Sequence, residues 1–590
     1  MRIALLSLLL FACAEKAPNP GQDSDPPDSG DSQDTDVAPV DADGDGDPSV
    51  ETGGGDCDDS DPSVSSLTPE ICDGLDQDCD GVADDDPVDG ETWYTDADGD
   101  LYGDPNAPLS ACDRPSGAVA DHTDCDDTEF TVKPGAEEVC GDGLDNDCDG
   151  SAGDCRLEGK IDLGASPSWV GETLGDQLGA GLAGGGDLDG DGAADLALGN
   201  PGEDSAGARA GAVWVLRGPL DETGGDDPIV LTGQVSEDVA GAALAVLDLD
   251  GDGLAELVVG GPGGESGAGI VWIVSEPEAG SLSQAGARLV GASGVDEAGT
   301  TLGSAGDLDG DGAPELLIGA PGADASAGAV YVIGGALSGE VDLGEAATVW
   351  TGERSRDEVG PAAGLGDLDG DGVPDLAIGA PGESSAGENA GAVALLTEPG
   401  GGSLADGTLW LGEAEGDAAG VAVAGVGDTD GDGYADVLVG GPNNDDASDY
   451  AGACWLLLGP ASLGGSLSGA DATRTGASAA ENAGGSLAAP GDIDGDGFAD
   501  LVVGSPWGDG GASNSGVAWI LYGPVSGTAS LSTSDAELQG EDSYDRASTS
   551  LAAAGDLNGD GAPDLLIGAP NSRDGGSDAG KAYLVFGLGL

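Results

Sequence analysis

Apolar positions in the C-terminal two-thirds of the chain fall in short runs, with almost no helical stripes. Typical runs are Asp195-Leu196-Ala197-Leu198-Gly199 and Asp375-Leu376-Ala377-Ile378-Gly379, each stopped by a Gly-x-Pro. A second run follows later in the unit. Examples are Gly211-Ala212-Val213-Trp214, Gly269-Ile270-Val271-Trp272, Gly328-Ala329-Val330-Tyr331, Gly516-Val517-Ala518-Trp519 and Gly580-Lys581-Ala582-Tyr583, with the aromatic always at the same place. Runs this short, bounded by Gly and Pro, predict β-strands.

The runs are locked to a repeat. A segment of the form Asp-x-Asp-x-Asp-Gly-x-x-Asp begins at Asp187, Asp248, Asp307, Asp367, Asp428, Asp492 and Asp556, at intervals of 61, 59, 60, 61, 64 and 64 residues. A unit of this length holds four short strands and their turns, which is one propeller blade. Seven units predict an all-β, seven-bladed β-propeller over residues 157–590, and ring closure removes the exposed sheet edges. Closure needs a strand from each end of the chain. Gly159-Lys160-Ile161-Asp162-Leu163 is the expected segment to complete the last blade.

Positions 1, 3, 5 and 9 of each loop offer side-chain oxygens around one point, which suits a hard cation with many oxygen ligands. The candidate metal ligands are Asp187, Asp189, Asp191 and Asp195 in the first loop, then Asp248, Asp250, Asp252 and Glu256 in the second. The third and fourth loops offer Asp307, Asp309, Asp311 and Glu315, then Asp367, Asp369, Asp371 and Asp375. The fifth and sixth offer Asp428, Asp430, Asp432 and Asp436, then Asp492, Asp494, Asp496 and Asp500. The seventh has Asp556, Asn558, Asp560 and Asp564, every one an oxygen donor. Position 6 is glycine throughout, from Gly192 to Gly561, as a sharp turn around an ion requires. An EF-hand is excluded: position 12, where a bidentate Glu belongs, is Leu198, and the flanks are strands. The expected ion is Ca2+.

These units resemble FG-GAP repeats, as in the propeller of integrin α subunits. Gly319-Ala320-Pro321, Gly379-Ala380-Pro381 and Gly568-Ala569-Pro570 match the Gly-Ala-Pro element, and Gly199-Asn200-Pro201, Gly260-Gly261-Pro262, Gly440-Gly441-Pro442 and Gly504-Ser505-Pro506 vary its middle residue. The Phe-Gly element is degraded, with Leu178, Ala298, Ala419 and Ala483 before the glycine. The resemblance implies structural calcium in hairpin loops on one face and partners on the opposite face. Cys454 stands where other units have Val213, Val271, Val330 and Val393, which predicts a buried small hydrophobe.

Eight of the ten cysteines fall before the propeller: Cys57, Cys72, Cys79, Cys112, Cys125, Cys140, Cys148 and Cys155. An even count predicts a disulfide framework over residues 56–156, with the pairing left open. The module is duplicated. Asp56-Cys57-Asp58-Asp59 leads to Glu70-Ile71-Cys72 and Cys79-Asp80-Gly81, and Asp124-Cys125-Asp126-Asp127 leads to Glu138-Val139-Cys140 and Cys148-Asp149-Gly150. This resembles the metal-binding repeat of MopE-type bacterial surface proteins, which implies a divalent metal on a small, loop-dominated disulfide scaffold. Copper, known in one branch of that family, is poorly served by a module with one His. The loop spacing itself favours calcium at Asp76, Asp78, Asp80 and Asp84, and at Asp96, Asp98, Asp100 and Asp104. In the second copy Asp145, Asp147 and Asp149 keep the first three positions, but position 9 is Gly153.

Met1-Arg2 and the apolar run Ile3 to Ala12 describe a secretory signal, too short to span a bilayer. Leu10-Phe11-Ala12-Cys13 resembles the bacterial lipobox, which implies lipidation at Cys13. Ala14 is not the acidic residue that marks inner-membrane retention in enteric lipoproteins, so the outer membrane is expected. Residues 13–55 read as a charged tether rich in Asp, Pro, Ser and Gly; the alternating Asp41, Asp43, Asp45 and Asp47 could bind a cation weakly, but are read as part of the tether.

Composition then narrows the function. The chain has 114 Asp plus Glu against 15 Lys plus Arg, a formal net charge of −99, which argues against nucleic-acid partners and direct adsorption to anionic lipid. His122 is the lone histidine, which removes most His-base hydrolysis and zinc catalysis. The four segments leave no residues for a catalytic domain, so no catalytic residue is expected. The expected function is a lipid-anchored, calcium-dependent surface protein that recognises an extracellular protein or glycan. The alternatives are an extracellular hydrolase or polysaccharide-processing accessory, and a passive calcium-binding coat component.

Overall fold

A strand covered on both faces needs apolar residues at nearly every position. The second strand of each repeat meets that condition: in the computed structural model Asp195–Asn200, Asp375–Ala380, Asp436–Gly441 and Asp564–Ala569 are buried throughout. The structure describes residues 40–136, 144–148, 156–220, 224–225, 227–346, 348–397, 400–460 and 464–587. Cys13, Cys140, Asp149 and Cys155 lie outside them. The chain divides into two compact units, Met1–Pro134 and Gly135–Leu590.

The second unit contains the seven-bladed propeller. In blades one to six the four antiparallel strands follow chain order, as in Leu182–Gly186, Asp195–Asn200, Ala212–Leu216 and Ile229–Thr232. First strands of adjacent blades pack side by side around the ring, and Ser550–Gly555 of the seventh meets Leu182–Gly186 of the first. Room there is scarce. A Cβ on Gly425 of the fifth blade would lie 2.2 Å from the Gly364 carbonyl oxygen of the fourth, so part of the chain's glycine surplus belongs to this ring.

The core lies between blades. Val213 and Val215 of the first blade share a cluster with Val259, Ile270 and Trp272 of the second. The third-strand aromatics Trp214, Trp272, Tyr331, Trp519 and Tyr583 are all buried. Cys454 is a buried free thiol in the same layer, and burial pushes its pKa up to about 12. It is a small hydrophobe, as its position predicts.

Blades two to seven share one connection between third and fourth strands. A short extended stretch runs parallel to the fourth strand of the preceding blade, as Gly280–Ser281 does beside Leu231 and Thr232. A single 3-10 turn follows, opened by Leu163, Leu282, Leu343, Leu404, Leu467 or Leu531. All six leucines are buried, and an Asp or Ser just before each accepts a backbone N–H, as Asp342 does from Gly344.

For the seventh blade this connection comes from the other end of the chain. Gly159–Asp162 runs parallel to Ala536–Gln539, the fourth strand of the sixth blade. Leu163 is the plug, and Ser168–Val170 pairs antiparallel with Lys581, Ala582 and Tyr583. The expectation that Gly159–Leu163 completes the last blade is therefore corrected. In every such connection the stretch before the leucine serves the neighbour, and only the strand after it closes its own blade.

The first unit is mostly turns around a small sheet ordered Pro108–Ala111, Glu91–Thr95, Ala118–Val119. Cys57–Cys79 and Cys72–Cys112 staple it. Cys125 is also disulfide-bonded, as is Cys148 of the second unit. The tether expectation fails from Val40 onward, where the residues are folded. Val50–Thr52 forms a 3-10 turn, and the buried Asp47 carboxylate accepts from Gly55 N at 2.9 Å and Ser66 N at 3.0 Å. Those aspartates hold turns closed, so their charge does not extend the chain.

Candidate cation-binding loops

All seven propeller loops join first to second strands, which places them at one end of the blades. Their carboxylates are bent inward by their own backbone, in Asx-type turns. In the first loop Asp187 Oδ1 accepts from Gly190 N at 2.6 Å and Oδ2 from Gly192 N at 2.8 Å. Asp189 Oδ1 accepts from Asp191 N at 3.2 Å, and Asp191 Oδ1 from Ala193 N at 2.8 Å. The sixth loop repeats the first pair of bonds at Asp492 with Gly495 and Gly497. Gly192 sits at φ +91° with open space where a Cβ would stand, so the backbone conformation, not crowding, demands glycine there.

Position 9 opens the second strand in six loops, immediately precedes it in the third, and is buried in all seven. Asp195, Asp375, Asp436, Asp500 and Asp564 have no exposed surface, and Glu256 and Glu315 are also buried. One carboxylate oxygen accepts from the amide of position 2: Leu188 at 2.7 Å, Ile493 at 2.7 Å, Leu557 at 2.8 Å. In four blades the other accepts from a glycine past the third strand, such as Gly218 at 2.8 Å or Gly523 at 3.0 Å. Burial raises the carboxyl pKa of Asp375 to about 6, and of Asp500 and Asp564 to about 7. Backbone N–H bonds oppose the rise, and facing carboxylates (Asp494 and Asp492 beside Asp500) add to it. Asp375 Oδ1 is buried with no hydrogen-bond partner. A desolvated carboxylate facing other carboxylates is a poor arrangement by itself and a good one around a divalent cation. The donor set of every loop is oxygen alone, which fits a hard ion. At position 3 of the seventh loop, Asn558 Nδ2 donates to Asp560 Oδ2 at 2.7 Å.

In the first unit the structure reshuffles the expected sets. Asp76 Oδ2 accepts from Gly81 N, Asp78 Oδ1 from Asp80 N and Asp80 Oδ1 from Val82 N. Asp84 turns away, its Oδ1 accepting from Asp73 N and Gly74 N. The buried Glu70 takes a place instead, with carboxylate oxygens of Glu70, Asp76 and Asp78 within 4.8 Å of one another. Asp96, Asp98 and Asp100 converge to the same limit, while Asp104 Oδ1 accepts from Asn106 N at 2.7 Å.

Seven further acids recur, and spacing alone does not mark them. Asp176, Asp238, Asp296, Asp357, Asp417, Glu481 and Asp545 are buried where the fourth strand of one blade leads to the first of the next. All but Asp545 accept from the amide three residues earlier, as Asp296 does from Ser293 N at 2.7 Å. Each lies two residues before the degraded Phe-Gly position, the one signal that could have found them. Six of them cap turns at the end opposite the cation loops, where Asp545 also lies.

That opposite end carries a different chemistry. Trp507 and Tyr544 are partly exposed there, with the Arg546 guanidinium 3.7 Å from the Trp507 ring centre and that of Arg573 5.8 Å from the Tyr544 ring. Tyr450, Val235, Val295 and Leu174 are exposed at the same end.

Comparison with known proteins follows this geometry. The FG-GAP repeat model matches residues 178–216, 240–274, 298–333, 359–396, 483–521 and 548–585. The MopE-type copper-binding model, described as a metal-binding motif, matches residues 56–85 and 124–154. The chain is 32% identical to Integrin alpha-5 of Xenopus laevis over 227 residues, covering 36% of this chain and 21% of that protein. It thus spans about a fifth of the length of that curated relative. Solved structures of BBS1N in complex with ARL6DN, soaked with lead or with mercury, are similar at 12% and 11% identity. Their TM-scores are 0.39 and 0.40, over 73% of this chain and 96% of theirs. No helix among the described residues is long and apolar enough to cross a membrane.

Proposed function

For a chain that carries six FG-GAP repeats and two MopE-type metal-binding motifs, we propose a calcium-dependent recognition protein held at the cell surface. The observation that carries the reading is the division of labour between the propeller's two ends. The Asp-x-Asp-x-Asp loops sit at one end, and the exposed Trp507 and Tyr544 with their arginines sit at the other, among carboxylates that lack the loop spacing. Position 1, 3, 5 and 9 oxygens would hold Ca2+, whose charge would neutralise carboxylates already desolvated by the fold. Binding a cation only in the folded state stabilises that state. The partner meets the Trp507–Arg546 and Tyr544–Arg573 end, where aromatic faces beside guanidinium and carboxylate groups suit an extracellular glycan or protein surface. Lipidation at Cys13 would anchor the chain in the outer membrane, and binding, not turnover, is its activity.

The test screens the purified full chain against glycan and protein arrays, with calcium and with chelator. A partner bound only with calcium, and lost in Trp507→Ala/Arg546→Ala at unchanged melting temperature, supports the reading. Binding indifferent to that double variant and to chelation would sink it. Turnover of a polysaccharide would replace it with the hydrolase reading.

A further inference from the structure

Two sequence-distant elements occur twice as a pair in the first unit. Asp41-Ala42-Asp43-Gly44-Asp45 matches Asp96-Ala97-Asp98-Gly99-Asp100, and Asp56-Cys57-Asp58-Asp59 matches Asp124-Cys125-Asp126-Asp127. The fold docks each first element on its second in the same way. Ala42 N donates to Asp59 Oδ1 at 2.8 Å, and Ala97 N donates to Asp127 Oδ1 at 2.8 Å. The internal turns agree too: Gly44 N to Asp41 Oδ1 at 2.7 Å, Gly99 N to Asp96 Oδ1 at 2.8 Å.

The oxygens left over correspond one to one. Oδ2 of Asp43, Asp45 and Asp56 in the first pair, and Oδ2 of Asp98, Asp100 and Asp124 in the second, are buried without a hydrogen-bond partner. Asp56 has no exposed surface and Asp124 is 1% exposed. Their other oxygens are occupied, by Asp58 N at 2.8 Å and Asp126 N at 2.9 Å. A fully buried carboxylate oxygen with nothing to bind is costly to keep. Keeping three of them, twice, at matched positions points to something that binds them all.

They also face one another. Carboxylate oxygens of Asp41, Asp43 and Asp45 lie within 4.8 Å, as do those of Asp98, Asp124 and Asp127. Asp56 is close enough to Asp43 for its charge to bear on it, and Asp100 likewise on Asp124. Among the described residues the one ion-pair partner of either cluster is Lys133, whose Nζ is 3.6 Å from Asp100 Oδ2. The donors are oxygen only. Cys57 and Cys125 are disulfide-bonded, so neither offers a thiolate to a soft metal.

We propose that each docked pair is one site for a hard divalent cation of the calcium class: Asp41, Asp43, Asp45, Asp56 and Asp59 in the first, Asp96, Asp98, Asp100, Asp124 and Asp127 in the second. The first site recruits Asp41, Asp43 and Asp45 from the segment read as a tether and joins them to Asp56 and Asp59. Both stand apart from the propeller loops and do not rest on the function proposed for the propeller.

The test counts bound Ca2+ on the full chain by equilibrium dialysis and metal analysis. Asp56→Asn and Asp124→Asn should each lose one ion, and the double variant two, with disulfides and circular dichroism unchanged. Asp43→Asn and Asp98→Asn, at half-buried positions, guard against misfolding and should weaken the same sites at least tenfold. Asp500→Asn, in a propeller loop, should leave these two ions in place. Unchanged ion counts and affinities in Asp56→Asn and Asp124→Asn would overturn the proposal.

Discussion

Replacing Asp500 by Asn separates what the fold asks of this carboxylate from what a cation asks of it. Asp500 is fully buried, with Oδ2 accepting from Ile493 N at 2.7 Å and Oδ1 from Gly523 N at 3.0 Å. Asn has one carbonyl oxygen, so one of those amides would face an NH2 group. Leaving a buried N–H unpaired costs about 1–3 kcal/mol, with or without metal. The second effect has the opposite sign. Burial holds the Asp500 pKa near 7 instead of 3.8, so at pH 8 the ionised group carries a penalty of a few kcal/mol by the 1.36 kcal/mol per unit conversion. Asn removes it. In chelator the relieved charge penalty outweighs the lost hydrogen bond, and the melting temperature should hold level or rise. In saturating calcium the ion already offsets the charge, and the variant loses a ligand as well as a hydrogen bond. An ion held at 100 times its dissociation constant contributes about 2.7 kcal/mol, so with the lost hydrogen bond the total loss in calcium should be about 4–6 kcal/mol. The assay is denaturant unfolding of wild type and variant at pH 8, each in calcium and in chelator. Equal losses in both media would mean that Asp500 is a hydrogen-bonding residue alone, and the cation argument for that loop would fail.

Two further outcomes follow from the same structure. Leu163→Ala removes a fully buried plug from the ring closure and should cost about 2–5 kcal/mol in urea unfolding, as should Leu282→Ala in mid-chain. A loss below about 1 kcal/mol for Leu163 alone would show that the N-terminal segment does not close the ring. In chelator, stability should fall as pH rises. Asp375, Asp500 and Asp564 have folded pKa values of about 6, 7 and 7, raised by burial above 3.8. Their contribution is full below about pH 4 and lost as pH climbs through the folded values. Calorimetry from pH 4.5 to 8 should show a falling melting temperature in chelator and a smaller fall in calcium, and a flat chelator profile would contradict the burial argument.

The propeller is legible in the sequence because its determinants are local and repeated. A nine-residue acidic loop, an apolar run and a Gly-x-Pro recur at nearly constant intervals, and each acts within its own blade. What is hidden depends on contacts between distant segments. The extended character of Gly159–Asp162 shows in the residues, but its partner, Ala536–Gln539, is set by the blade-to-blade connection. Asp176 and its six counterparts look like surface turn residues, and only packing of neighbouring blades buries them. In the first unit, Asp84 and Asp104 fit the loop spacing, yet the backbone spends Asp84 on Asp73 and Gly74. Glu70, Asp56 and Asp124 reach their clusters across turns and disulfides, which no spacing rule encodes.

The ring closure also decides how the propeller bears a mechanical load. A pull on the chain ahead of residue 157 reaches the edge strand Gly159–Asp162 first, then the Leu163 plug, then the three pairs between Ser168–Val170 and Lys581–Tyr583. Yielding in that order strips the outer strand from the seventh blade. The other six keep all four of their strands, because each is built from one continuous stretch of chain. Tension would thus spend itself on a short clasp and release about a dozen residues, Gly159 to Val170, while the other six blades stay whole.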